Sequence, residues 1–141
     1  MYDQLFQLSN LLVVPFWLLM IFLPFWGWTK RIISSPWIAA PTALLYTALV
    51  LPSMMSLFAQ IANPELAQIA VLLGTPAGAT IAWAHFVTVD LLAGRWIYLD
   101  SRERGITAWL VSPILFFVSM FAPFGLLLYL VARLFTTRQS A

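Results

Sequence analysis

The chain has 141 residues, 62% of them hydrophobic and only 9% charged, with a formal net charge of +2 and no cysteine. Soluble domains carry about 25% charged residues, so this composition and a mean hydropathy of +0.93 exclude an ordinary soluble domain. The missing thiols exclude disulfides and thiolate metal sites, and the arginines sit at the ends of apolar runs, as membrane orientation signals rather than a nucleic-acid surface.

The first apolar run, residues 5–26, matches the length of about 20 residues that a spanning helix needs. Its start, Met1-Tyr2-Asp3-Gln4, lacks the basic region of a secretory signal, so the run is expected to remain as a span. An Arg- and Ser-rich transit segment is also absent, as expected of a bacterial or already mature chain. A linker, 27–36, carries Lys30 and Arg31. The second span is predicted over 37–59. In the next linker, 60–77, the stretch 64–73 opens on Pro64, which suits a first helical position. It predicts a short helix on the membrane surface, too short to cross. The third span is predicted over 78–97, a linker with Arg102 and Arg104 over 98–106, and the fourth span over 107–134. The expected architecture is a single all-α domain, 1–141: a polytopic membrane protein built as a bundle of four transmembrane helices. Pro15, Pro24, Pro41, Pro52, Pro113 and Pro123 fall inside the predicted spans, each removing a backbone donor.

Lys30, Arg31, Arg102 and Arg104 place linkers 27–36 and 98–106 in the cytoplasm by the positive-inside rule, with both termini on the opposite side. Arg133 and Arg138 oppose that assignment. Trp26, Trp28, Trp37, Trp96 and Trp109 cluster in or beside the same two linkers, as an interfacial belt does. Gly74-Thr75-Pro76-Ala77-Gly78 has the spacing of a helix-dimerisation motif, but its proline argues for a loop.

The segment from Trp83 to Asp100 holds the only histidine, His85, with Asp90, Arg95 and Asp100 in an otherwise apolar run. Ionisable groups at bilayer depth are costly and mark sites and partners. At about 100° per residue, His85 and Asp90 lie about 140° apart, so they cannot pair along one face. His85 and Asp90 are the candidate catalytic residues; Trp83, Thr88, Arg95 and Tyr98 are candidate substrate-binding positions. The structural alternatives are specific. Asp90 serves as helix glue, hydrogen-bonded to Tyr46 or a serine of another helix; His85 packs, or holds one axial position of a haem or chlorophyll; Arg95 and Asp100 anchor the interface. No second histidine or carboxylate cluster offers a protein-built metal site, and neither a metal nor another cofactor is expected.

Trp83-x-His85 with Val89-Asp90-Leu91, Ala93, Arg95, Tyr98 and Asp100 resembles the signature helix of the abscisic-acid-deficient-4-like family. Val14-Pro15-Phe16, Leu19-Met20 before Pro24, Thr29-Lys30 and Pro123-x-Gly125 extend the likeness over nearly the whole chain. These small membrane proteins of photosynthetic organisms are implicated in neoxanthin formation. The resemblance implies a protein of carotenoid (xanthophyll) metabolism in the thylakoid or plasma membrane of a cyanobacterium, with a carotenoid or other lipid-soluble pigment and membrane lipids as partners. The implied chemistry is an isomerisation from epoxy-carotenoid to allene. It needs an acid at the epoxide oxygen and a base for a carbon-bound proton, roles the carboxyl of Asp90 and the imidazole of His85 could share. Two other functions compete. One is a non-catalytic pigment-binding or assembly subunit, with a membrane-protein partner or a second copy. The other is a small transporter using Asp90 between proline-broken helices.

Overall fold

The computed structural model describes residues 1–136, and every regular element among them is helical. The first helix, α1 (Tyr2–Phe22), turns Ser9, Val13, Trp17 and Met20 inward, a stripe at helical spacing, and leaves Leu11, Leu18 and Phe22 for lipid. It ends four residues earlier than the run 5–26 implied. Leu23, directly before Pro24, leaves the helical region at φ −121°, ψ 44°. Pro24 therefore lies in a turn, and α2 (Gly27–Ser34) follows at once, tied back where the Thr29 hydroxyl donates to the Leu23 carbonyl at 2.8 Å.

The second span runs over Pro36–Ala62, 27 residues. It is assembled from a 3-10 turn (Pro36–Ala39), α3 (Ala40–Val50), a second 3-10 turn (Leu51–Ser53) and α4 (Met54–Ala62). Pro36, Pro41 and Pro52 each fall in the first two positions of such a piece, where a missing N–H costs little. The expected short helix is α5 (Leu66–Leu73). Its N-cap is Glu65 in an extended conformation, so Pro64 precedes the helix instead of opening it.

Helix α6 (Pro76–Glu103) is the axis of the molecule. Thr75 caps it by accepting the Gly78 N–H at 3.0 Å, and Pro76 occupies the first turn rather than a loop. Its 28 residues make it about 42 Å long, more than the hydrocarbon thickness of about 30 Å. The helix continues through Tyr98 and Asp100, which the sequence had placed in a linker. It stops where Gly105 takes φ 65° and the Ile106 N–H bonds the Ser101 carbonyl at 2.9 Å.

The predicted fourth span over 107–134 is a hairpin. Helices α7 (Ala108–Met120) and α8 (Ala122–Leu134) are separated at Phe121, with φ −141° and ψ 71°. Pro123 lacks the donor that would continue α7. Gly125 then lets α8 fold back against Val118, whose Cγ2 would lie 2.5 Å from any Cβ there. Among the described residues, three helical segments are long and apolar enough to cross a membrane: Tyr2–Phe22, Pro36–Ala62 and Pro76–Glu103. At 13 residues, about 20 Å, each arm of the hairpin is too short.

Helices α1 and α6 run parallel, since Asn10 meets Trp83, Trp17 meets Gly94 and the Pro24 carbonyl meets Tyr98. The second span runs against α6, with Ser34 beside Arg95 and Tyr46 beside His85. The hairpin returns the chain to where it left α6, so Arg133 and Thr136 meet Asp100 and Arg104. Thus Met1 and Thr136 lie at opposite ends of α6, whereas four full spans would have brought them to one end; residues 137–141 lie outside the described ones. Lys30, Arg31, Arg95, Arg102, Arg104 and Arg133 all belong to one end, the arginine end. Arg138 lies outside the described residues. The fully buried Met20, Ile33, Leu91, Ile97, Tyr98, Leu115 and Tyr129 put the core toward that end, whereas α4 buries only Leu57 and α5 nothing.

Candidate functional site

Helix α6 distributes its polar side chains over several faces. On the face toward the second span, His85 lines an apolar cleft of ≈ 300 Å³ with Tyr46, Leu57, Ile61, Ile69 and Phe86. The rings of His85 and Tyr46 approach to 5.5 Å between centroids at 54°, and Phe86 lies 6.1 Å from the imidazole. Neither His85 nor Tyr46 makes a hydrogen bond among the described residues. The cleft exists because the second span is broken at Leu51–Ser53 and α5 covers the start of α6, where the Leu72 carbonyl leaves room only for the hydrogen of Gly78.

The face toward α1 carries the stripe Trp83, Asp90 and Gly94. The Trp83 indole donates to the Asn10 side-chain oxygen at 2.9 Å and lies 5.1 Å from the Phe6 ring. A Cβ on Gly94 would stand 2.5 Å from the Trp17 ring. Between these contacts, half-buried and fifteenth of the helix's 28 residues, is Asp90. It makes no hydrogen bond or ion pair among the described residues, so the expected bond to Tyr46 does not form. His85 and Asp90 front different neighbours. The structure does not bring them together around one cavity.

The remaining candidates make packing contacts. Thr88 donates to the Ala84 carbonyl within its own helix at 2.6 Å. Arg95 reaches the Ser34 carbonyl at 2.6 Å, and its buried Nε has no hydrogen-bond partner among the described residues. Tyr98, 1% exposed, donates to the Pro24 carbonyl at 3.0 Å, as does Arg102. Both bonds go to a single carbonyl, in the turn that follows α1.

The densest polar cluster is one the sequence reading placed at the interface only. The carboxylate of Asp100 accepts from Arg104 Nε at 2.9 Å, Arg133 Nε at 2.9 Å, Arg133 Nη2 at 3.2 Å and the Tyr129 hydroxyl at 2.7 Å. The Arg133 guanidinium also sits 5.4 Å from the Trp96 ring, which meets Tyr129 edge-on at 5.5 Å. Two spacings of four, Asp100 to Arg104 and Tyr129 to Arg133, were the available signal. Nothing local says that the two pairs meet.

Three membrane-length helices among the described residues and a short apolar hairpin define a membrane-associated helical protein. The chain belongs to the ABA DEFICIENT 4-like family, whose sequence model matches residues 4–129. Protein ABA DEFICIENT 4, chloroplastic, of Arabidopsis thaliana is 30% identical over a 144-residue alignment that covers 97% of this chain. The chain spans 64% of that relative's length. No solved structure matches it.

Proposed function

We propose that this protein serves xanthophyll metabolism inside a membrane, taking an epoxy end group of a carotenoid into the cleft between the second span, α5 and α6. The observation that carries this reading is His85 facing Tyr46 across an apolar wall, both without hydrogen bonds to the described residues. Pockets for apolar ligands have this character: mostly hydrophobic lining with a few polar groups that orient the guest. Family membership supplies the pigment class. Residues Trp83, Thr88, Arg95 and Tyr98 then support the site through the helix contacts they make.

The reaction we assign is an isomerisation. The Tyr46 hydroxyl gives its proton to the epoxide oxygen as the carbon–oxygen bond breaks. The His85 imidazole takes the proton from the neighbouring polyene carbon, and that C–H electron pair becomes the second double bond of the allene. Transfer from imidazolium to phenolate restores both groups, and no oxidant or reductant enters. Asp90, on the α1 face, is assigned to packing rather than to this proton transfer. The arginine end is assigned to the cytoplasm.

The test is turnover of an epoxy-xanthophyll by purified protein in uncharged detergent, with products separated by chromatography. Allenic product should form with the wild type, and His85→Ala and Tyr46→Phe should each lose about 100-fold or more, the scale of one general acid or base. Asp90→Asn should keep most of the rate; a loss equal to that of His85→Ala would return the carboxyl to the reaction. The separation of Asp90 from His85 favours one alternative, a pigment-binding subunit without catalysis. That alternative predicts co-purified carotenoid, its loss in His85→Ala, and no product from any variant.

A further inference from the structure

A second cavity, ≈ 590 Å³, opens at the arginine end between the last turn of α1 and the first turns of α7, away from His85. Its walls are Ile21, Phe22, Phe25, Trp109, Pro113 and Phe116. It forms because α1 stops at Phe22 and the chain peels away at Pro24, while α7 begins with the small Ala108 and Ser112. The core closes behind it, at Met20 and Val111. The apolar lining suits a hydrocarbon chain and offers nothing to a free anion.

The mouth has a different character. The Arg102 guanidinium lies 5.0 Å from the ring of Phe25, which is itself a groove wall, and 5.3 Å from that of Tyr98. It also donates to the carbonyl of Pro24, another lining residue. Those contacts fix a cation at the edge of the groove while leaving other N–H groups free to bond. Every Lys and Arg among the described residues lies at this same end, and Asp3 and Glu65 belong to the other. Hydrocarbon in the groove and a fixed cation at its mouth define an amphiphile with an apolar tail and an anionic head.

We propose that the α1–α7 groove is a binding site for an anionic phospholipid, its acyl chain against Phe22, Phe25 and Trp109 and its phosphate on Arg102. The site is independent of the His85 cleft, so neither reading depends on the other. Two experiments read it. Native mass spectrometry of the wild type with equal amounts of phosphatidylglycerol and phosphatidylcholine of matched chains should retain phosphatidylglycerol at least fivefold over its competitor. Arg102→Gln should lower that ratio below twofold while apolar binding persists. Because Arg102 also holds the α1 turn, a second arm leaves it untouched. Phosphatidylglycerol brominated on its acyl chain should quench wild-type fluorescence more than brominated phosphatidylcholine, with the difference gone in Trp109→Phe. Equal retention of the two lipids by the wild type, full selectivity in Arg102→Gln, or quenching that ignores Trp109 would each overturn the proposal.

Discussion

Asp100 and Asp90, ten residues apart on one helix, have opposite surroundings. Three side chains converge on Asp100, whereas Asp90, at mid-helix, makes no hydrogen bond to the described residues. The sequence singled out Asp90, because an acid in the middle of an apolar run stands out by cost alone. Asp100 lay near a run's end, where an anchoring role suffices, and its partners Tyr129 and Arg133 are far along the chain. A single sequence shows the cost of a buried charge but not who meets it. The geometry makes Asp100 the residue whose loss is felt in stability. Asp100→Ala removes the carboxylate that pairs with Arg104, whose side chain is 13% exposed, and the acceptor of a buried tyrosine, leaving Arg104 only its bond to the Thr136 carbonyl. Breaking such a buried pair costs about 3 kcal/mol or more, which a denaturant titration in detergent micelles would read. Asp90→Leu should cost less than about 1 kcal/mol in the same titration, because no described partner is left unpaired.

Among the elements, spans one to three were legible because the length of an apolar run speaks for itself. The hairpin was not. Pro15 and Pro113 sit inside α1 and α7 without ending them, so Pro123 carried no distinguishing mark. What turns the chain at Phe121 is the sum of a missing donor at Pro123, the bare Cα of Gly125 and the distant reward of Tyr129 and Arg133 reaching Asp100. Only the first of these is local. Gly125→Ala should therefore attack the element itself: its Cβ would stand 2.8 Å from the Val118 Cα and contact the Val118 backbone nitrogen. Backbone cannot swing aside as a side-chain tip does, so the cost should reach about 3 kcal/mol, the upper range for overpacking. It should appear as a lowered unfolding midpoint and weakened protection of the α8 amides in hydrogen exchange. An unchanged midpoint would mean that the two arms do not touch at Val118.

At the scale of the whole molecule, the hairpin changes how charge is distributed between the two ends of the helix array. Read as four spans, the chain set Arg133 against Lys30, Arg31, Arg102 and Arg104. Folded back, Arg133 joins them, and no Lys or Arg among the described residues remains at the N-terminal end. Among the described residues, the basic side chains that stood opposed along the sequence share one end of the fold. The exposed Trp26, Trp28, Trp37 and Trp109 mark the same end. The natural absence of cysteine makes this open to direct measurement, since each introduced thiol is the only one present. With Gln4→Cys, Ser34→Cys and Thr136→Cys in sealed membranes, an impermeant maleimide added to one side should label Ser34→Cys and Thr136→Cys together and Gln4→Cys only from the other side. Reaction of the cysteines at 4 and 136 from one side would mean that residues 107–134 cross the bilayer. Arg133 would then lie a membrane's width from Asp100, and the ion cluster, the hairpin and the lipid groove built on its α7 arm would fail together.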